Sequence, residues 1–464
     1  VHWNCLGHAM WLCEASGLRL LFDPLLRPEH HCGVFETVPR RIVNAEALRP
    51  DFVLVSHRHP DHFDVPSLHR LSRIDPDAVV VTPDALVAWA ARTLGFRTVH
   101  ALPPAQRVAL DGVQLVTTPS LGPDEWGMLV EAEGAVAWNQ VDAVLRDAAH
   151  VRAVLDQALP SLGQEPTDAR AQGVELAIVR WQPMLEIAAV LGHRTAFPYA
   201  SYAELLAQAA AVRATAVVPG ANGAAHVDAL RWMDRYVFPV SERRFLRDLA
   251  RVSPGTQPLP LRVGGRFHVE PGAVTLEPEG AAALIEPLDG GGGDPRRYRP
   301  HAIPELLDPN PNGHDEAITR PRVHAWIHET LAPALARAWP GMRVREPLRF
   351  VVEVVFPRAH DAFTLHVGPH GVRVEPSNDE DWDLLNVVAG SLLWEVIEGR
   401  RHWGDVLLAG CLRASTRAYS VDEHGLRRAD VGETFLYYAL PYDEAVERAV
   451  RHEVHTCLGR SSNS

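Results

Sequence analysis

The sequence predicts an α/β protein in which two β-sheets lie between helical layers, an αββα sandwich, followed by a smaller αβ unit. Three observations carry this. Over residues 1–252, short β-rich runs and helical periodicities alternate in two strand-rich halves, as two sheets covered by helices require. Over 253–319 the composition turns to proline and glycine, as in a linker with surface loops. Over 320–464 helix and strand patterns alternate again. A chain of 464 residues is also too long for one small core.

The elements follow in order. "MWLCEASGLRLLFDP" (Met10 to Pro24) has two β-rich runs around Ala15-Ser16-Gly17 and predicts a hairpin. "RPDFVLVSH" is a strand. "DVPSLHRLSRI" is a helix, with Asp64 as N-cap and Pro66 in the first turn. "AVVVTP" is a buried strand and "DALVAWAARTLG" a helix ending at Gly95. "VQLVTTP", "GMLVEAEG" and "AVAWNQ" are strands. In the second half, helices are expected in "DAAHVRAVLDQALPSL" and "YASYAELLAQAAAVR", and strands in "VELAIVRW" and "ATAVVPG". "HVDALRWMDRYVFPVSERRFLRDLARV" is mostly helical with a break near Pro239. "SPGTQPLPLRVGGRF" and "EPLDGGGGDPRRYRP", the latter with Gly290 to Gly293, read as linker. Beyond it, "VHAWIHETLAPALARAW" is an amphipathic helix, and "LRFVVEVVF", "FTLHVGP" and "GVRVEPS" are strands. "DLLNVVAGSLLWEVIEG" reads as one helix ending at Gly399.

Bulk properties narrow the function. With 47% hydrophobic and 22% charged residues the chain has the composition of an ordinary soluble globular protein. A net charge of −13 disfavours nonspecific binding to nucleic acid or anionic membranes. All 45 basic residues are arginine, which favours bidentate recognition of phosphate or carboxylate. The five cysteines include no Cys-x-x-Cys, so neither a disulfide framework nor a zinc knuckle is indicated. No apolar run reaches the roughly 18 residues of a membrane span, and no signal-peptide pattern is visible, so a cytoplasmic location is expected.

The chemistry concentrates in "SHRHPDHFD". Alternate residues of an extended segment project the same way, so His57 and His59 can bind one ion. The chain then turns and presents Asp61 and His62 to a second ion nearby. Together with "WNCLGHAMWLCEASGLRLLFDP" upstream, this motif resembles the metallo-β-lactamase fold superfamily. The resemblance rests on Gly7-His8-Ala9, Asp23-Pro24 and the histidine motif. It implies an αββα metallo-β-lactamase sandwich with a one- or two-metal site at one sheet edge. His8 would lie beside the site in a catalytic role, Asp23 would lie behind the ligands, and Asp142 would bridge both metals and serve the reaction.

In most of that superfamily the third element is a histidine. The corresponding stretch, "TTPSLGPDEWGMLVEAEGAVAWNQVDAV", has none. Ser120 stands where it might be, and the acids available are Glu125, the favoured ligand, and Asp124, the fallback. This, with Asn139-Gln140-Val141-Asp142, "VVPGANGAAH" and "LLWEVIEGRRHWGDVLLAGCLR", resembles the metallo-β-lactamase-fold domain of cytidine monophosphate-N-acetylneuraminate hydroxylases. The chain is also similar to the carboxylate-bridged diiron β-hydroxylases of the same fold. The resemblance implies one iron on His57, His59 and Glu125, a second on Asp61 and His62, and Asp142 between them. The last ligand is expected after "ATAVVPG" at His226, with His193 as second candidate. A carboxylate in place of an imidazole hardens the site and favours ferric iron over zinc. Cys5-Leu6-Gly7-His8 has no Cys-x-His counterpart, so no Rieske centre is expected. Electrons would then come from an external donor, a separate reductase or ferredoxin.

The expected function is a non-haem dinuclear iron oxygenase that hydroxylates or otherwise oxidises a small polar or anionic metabolite with O₂. The alternative is a hydrolase with two zinc or manganese ions, acting on a phosphodiester, lactone or sulfate ester. The C-terminal unit, with Trp326, Trp339, Trp382, Trp394 and Trp403, resembles the sterol-carrier-like module that accompanies this fold in alkylsulfatases. It would form a homodimer surface or cover the substrate. Arginines in "RRFLRDLAR" and "DPRRYRPH" are candidates for holding an anion.

Overall fold

Apolar residues occupy both faces of the strands in the first half of the chain, so these strands need cover on two sides. A computed structural model supplies that cover; it describes residues 1–162, 174–193, 195–221, 223–288, 294, 296–300, 303–344, 346–432 and 434–459. Alternate side chains such as Trp3, Trp11, Phe22, Trp126, Met128 and Ile178 point between two sheets and are buried there. The intervening residues face outward onto helices. Leu12, Leu21 and Val53 meet the helices Val65–Ile74 and Ala85–Leu94. Leu129, Trp138 and Ala177 meet Ala148–Ala158, Tyr199–Ala211 and Glu242–Val252. The result is the expected αββα sandwich. Truncating one of its fully buried tryptophans, Trp126 or Trp138, to alanine costs about 3–5 kcal/mol.

The first sheet has eight strands. His2–Gly7, Met10–Ala15 and Leu18–Phe22 form an antiparallel meander. Phe52–Leu54, Val79–Thr82 and Val99–Ala101 then continue in parallel from Leu18–Phe22. The second sheet has seven. Arg107–Leu110, Val113–Pro119, Trp126–Ala132 and Ala135–Asn139 are antiparallel, and Leu176–Val179 and Ala216–Pro219 add in parallel. The helix ends are those the sequence indicates. Asp64 caps its helix by accepting from Ser67 N at 3.0 Å, and Gly95 closes the next with φ +114°.

Two expectations need correction. The sandwich does not end at residue 252. Arg266–Glu270 pairs antiparallel with the first strand, setting Trp3 opposite Phe267, and Ala273–Glu277 pairs beside it. Gln257–Pro258 extends the second sheet. Phe267 and Val269 alternate into the core between the sheets, but the flanking Pro and Gly residues make this hairpin look like linker. Gly290 to Gly293 lie outside the described residues. The second correction is at "DLLNVVAGSLLWEVIEG". Leu384–Ala389 is a strand parallel to Leu348–Val355, and the helix begins only at Gly390 and runs to Ile397. An apolar run broken only by Asn386 fits a mostly buried strand as well as a buried helix, and here strands pair on both its sides.

The C-terminal unit is built on a five-stranded sheet. It shares a core with the sandwich: Phe35, Tyr236 and Phe238 pack in one cluster with Trp326, Ile327, Leu392 and Trp403. Its last helix, Tyr442–Cys457, returns to the sandwich, where Val446, Val450 and Val454 join Leu68, Leu71 and Val87. No described helix is long and apolar enough to cross a membrane.

Candidate metal centre

Parallel strands bring their carboxyl ends together, and ligands of open α/β sheets bind there. Asp23 follows Leu18–Phe22, and His57 follows Phe52–Leu54 in the same sheet. From the other sheet, Asp142 follows Ala135–Asn139 and Arg180 follows Leu176–Val179. His59, Asp61, Glu125, Asp142 and Arg180 line one cavity of about 620 Å³.

Asp23 is buried behind the histidines. Its Oδ1 accepts from Ser56 N at 2.7 Å; its Oδ2 accepts from Ser56 Oγ and His62 Nδ1, each at 2.9 Å. The carboxylate therefore fixes one His62 proton on Nδ1 and turns Nε2 toward the other acids of the site. That Nε2 is buried and has no hydrogen-bond partner. Ser56 Oγ spends its proton on Asp23, so at 2.9 Å it accepts from His57 Nδ1–H and leaves His57 Nε2 free. His57 Nε2 faces His59 Nδ1 at 2.8 Å, where an ion can replace the proton between them. Both histidine orientations match the carboxylate-backed pattern of metal-ligating imidazoles.

Two sets of donor atoms are close enough to share an ion: His57, His62 and Asp142, and His8, Asp61 and His62. His62 Nε2 lies 3.3 Å from both Asp61 Oδ2 and Asp142 Oδ2, between two acids that can flank a metal pair. Burial raises both carboxyls, but protonated His62 between them outweighs it, holding Asp61 well below the usual range and Asp142 down at about 2. Burial opposes the His62 charge, yet the two acids hold it well above the usual histidine range, so a bound ion would take the place of its Nε2 proton. Burial, with the neighbouring His62 and His59, keeps His57 neutral far below the usual histidine range, the form that ligates metal. Orphaned donor atoms, neutral imidazoles and ionised carboxylates together fit one or two divalent or trivalent cations.

Glu125 lines the same cavity. Burial, and then the Asp142 carboxylate, push its carboxyl up to about 7. Its Oε1 is buried without a partner, as expected of a ligand lacking its ion. Asp124, by contrast, is turned to solvent and pairs with Arg58 at 3.1 Å.

His8 also comes to the cluster. Its Nδ1 accepts from Gly223 N–H at 3.2 Å, so its proton sits on Nε2 and is donated to Asp61 Oδ2 at 2.8 Å. His8 orients a ligand rather than offering a lone pair. The expectation for His226 is corrected. Its Nδ1 faces Asp234 Oδ1 at 2.6 Å and its Nε2 faces the Leu408 carbonyl at 2.9 Å. Both partners accept hydrogen bonds, so neither nitrogen is available to a metal; His226 ties the sandwich to the C-terminal unit. His193 is exposed just beyond the helix Glu186–Val190. Cys5 is buried between the sheets, where burial pushes its thiol up to about 12.

Sequence reasoning missed His30 and His31. Their Nδ1 atoms lie 2.8 Å apart, and His31 Nε2 lies 3.9 Å from Asp61 Oδ1. The only signal was the paired histidine in "RPEHHCG", soon after Asp23-Pro24 and without a motif spacing. From the C-terminal unit, His402 lines the cavity, and its Nε2 lies 3.4 Å from the fully buried Asp405.

Residues 2–151 match the model of the beta-lactamase superfamily domain. This stretch is similar to that domain. It contains His8, Asp23, His57, His59, Asp61, His62, Glu125 and Asp142, while Arg180 and the C-terminal unit lie outside the match. A putative Rieske 2Fe-2S iron-sulfur protein of Mycolicibacterium smegmatis is 28% identical over 151 residues, 30% of this chain and 29% of that protein. The alignment with this relative thus spans under a third of its length. A metal-dependent hydrolase of Opitutus terrae is 29% identical over 197 residues, 39% of this chain and 80% of that protein. Among solved structures, the diiron beta-hydroxylase CmlA of Streptomyces venezuelae aligns with a TM-score of 0.37 and 15% identity, over 58% of this chain and 53% of that one.

Proposed function

We propose that the chain is a metal-dependent oxidoreductase whose dinuclear iron centre oxidises a small substrate with O₂. One observation carries the reading: in the cavity where a third-motif histidine is expected, the chain offers the carboxyl of Glu125, whose Oε1 is buried without a partner. A carboxylate-rich, mixed His/Asp/Glu set suits iron that changes valence better than it suits zinc. The relative in Mycolicibacterium smegmatis, named for an iron–sulfur redox centre, is in keeping with this. When bound, the iron pair supplies the activation of dioxygen. His57, His59 and Glu125 would hold one ion, Asp61 and His62 the other, with Asp142 available to both. His8 keeps Asp61 turned to its ion by donating from Nε2. Asp23 keeps the protons of His57 and His62 on the far side of each ring. Trp181, Phe238, Leu408 and Tyr437 line the cavity and keep bulk water from the reacting atoms. A separate reductase or ferredoxin supplies electrons.

A second reading, a zinc- or manganese-dependent hydrolase, is favoured by the Opitutus terrae relative, 80% of whose length aligns. Metals there lower the pKa of a water nucleophile. Metal analysis of the purified protein, with Mössbauer spectra and O₂ consumption after reduction, separates the two. Two irons per chain and reductant-dependent O₂ uptake are expected, together with loss of uptake in Glu125→His. Stoichiometric zinc with phosphodiesterase activity that survives Glu125→His overturns the oxidase reading.

A further inference from the structure

The cavity over the metal cluster contains a cation that the cluster does not use. Arg180 is the one arginine among the described residues lining it. Its base is fixed, because its backbone N–H donates to Gln140 Oε1 at 3.3 Å, two residues before Asp142. Its guanidinium has no hydrogen-bond or ion-pair partner among the described residues. The other arginines around the site are satisfied: Arg27 by Asp64, Arg58 by Asp84, Arg401 by Glu395, and Arg41 by backbone carbonyls. Glu125 and Glu186 lie within the field of Arg180, yet neither forms an ion pair with it. Glu186 Oε2 is itself buried without a partner. A guanidinium serving as an internal counterion would reach one of these carboxyls. Arg180 faces open cavity instead.

Part of the cavity lining is apolar. Ile187, Leu407 and Tyr437 belong both to this cavity and to an adjoining groove of about 440 Å³, which Val190, Leu191 and Tyr438 complete. Ile187 is 49% exposed and Tyr438 38%, so the groove opens to the surface. The arginines of "RRFLRDLAR" and "DPRRYRPH" do not line the cavity.

We propose that Arg180 is the specificity-determining anchor for a substrate with an anionic oxygen group, a carboxylate or phosphate, and an apolar body lying toward Ile187, Leu407 and Tyr437. The planar fork of arginine matches either group bidentately. The assignment rests on the reading of this cavity as the substrate site. It is tested by calorimetric titration of the full-length, metal-loaded protein with 4-phenylbutyrate, 3-phenylpropyl phosphate and the neutral 4-phenylbutyramide. Wild-type protein should bind at least one of the two anions about 10- to 100-fold more tightly than the amide, and which anion wins identifies the head group. Arg180→Met should bring anion and amide within about threefold, and Arg180→Lys, which keeps the charge without the fork, should fall between. An undiminished preference in Arg180→Met assigns the anion to the metals and overturns the proposal, as does wild-type protein with no preference. Metal content measured on the same samples keeps the outcomes apart. Protein that takes up no metal sinks the enzyme reading without touching the Arg180 dependence. A lost Arg180 dependence on fully loaded protein leaves that reading standing.

Discussion

Replacing Asp23 by asparagine alters a single atom, yet it should disturb both halves of the metal centre. The carboxylate accepts three hydrogen bonds, from Ser56 N, Ser56 Oγ and His62 Nδ1. An asparagine oxygen can keep the backbone bond at Oδ1, which turns its NH₂ toward His62 and Ser56. His62 then loses the acceptor that keeps its proton on Nδ1, and the ring gains by moving the proton to Nε2, the atom a metal needs. Ser56 Oγ, now accepting from the amide, is free to donate to His57 Nδ1, which moves the second proton to His57 Nε2. Loss of a carboxylate behind a ligating histidine typically weakens metal binding about 10- to 100-fold, or about 1.4–2.7 kcal/mol per ion. Asp23→Asn should pay this at both ions, and Ser56→Ala only at the ion on His57. The assay is competition with a chromophoric chelator, with metal counted by elemental analysis. Asp23→Asn protein holding both ions within about threefold of wild-type affinity would refute the proton accounting.

Two further outcomes follow from other contacts. The Glu125 carboxyl is raised by burial and by Asp142 to about 7 in the folded protein, against about 4.3 in an unfolded chain. Between these values the folded state holds the extra proton, so Glu125 adds stability below about pH 4.3 that is lost as pH rises through about 7. Chelated wild-type protein should therefore lose more stability between pH 5 and 7.5 than chelated Glu125→Gln in urea titrations; parallel pH profiles would contradict this. His226→Ala should leave metal content unchanged but lower stability by about 3 kcal/mol, because it strands the buried Asp234 carboxylate. A variant that folds as well as wild type but has lost a metal would restore His226 as a ligand.

Much of the sandwich was legible because its signals are local. Asp64, Pro66 and Gly95 mark helix ends by their own chemistry, and His57, His59, Asp61 and His62 lie within one turn of chain. What could not be read depends on partners distant in sequence. His226 stands at the expected distance after its strand, but Asp234 and Leu408 claim its nitrogens. Asp124 and Glu125 are neighbours of equal ligand potential; only Arg58, delivered by a loop 66 residues away, turns Asp124 to solvent. His30, His31 and Arg180 carry no spacing that singles them out. Leu384–Ala389 carries apolar residues on both faces, with only the buried Asn386 polar, so the alternation that would have revealed a strand is missing.

The return of the helix Tyr442–Cys457 to the sandwich bears on how the protein is made. Val446, Val450 and Val454, which complete the cover of Leu68, Leu71 and Val87, are synthesised more than 350 residues after them. Until then the side of the helices Val65–Ile74 and Ala85–Leu94 that the last helix covers is an open hydrophobic surface, the condition under which large nascent chains aggregate or recruit chaperones. The two units are thus closed by a clasp whose halves are separated by more than 350 residues of chain.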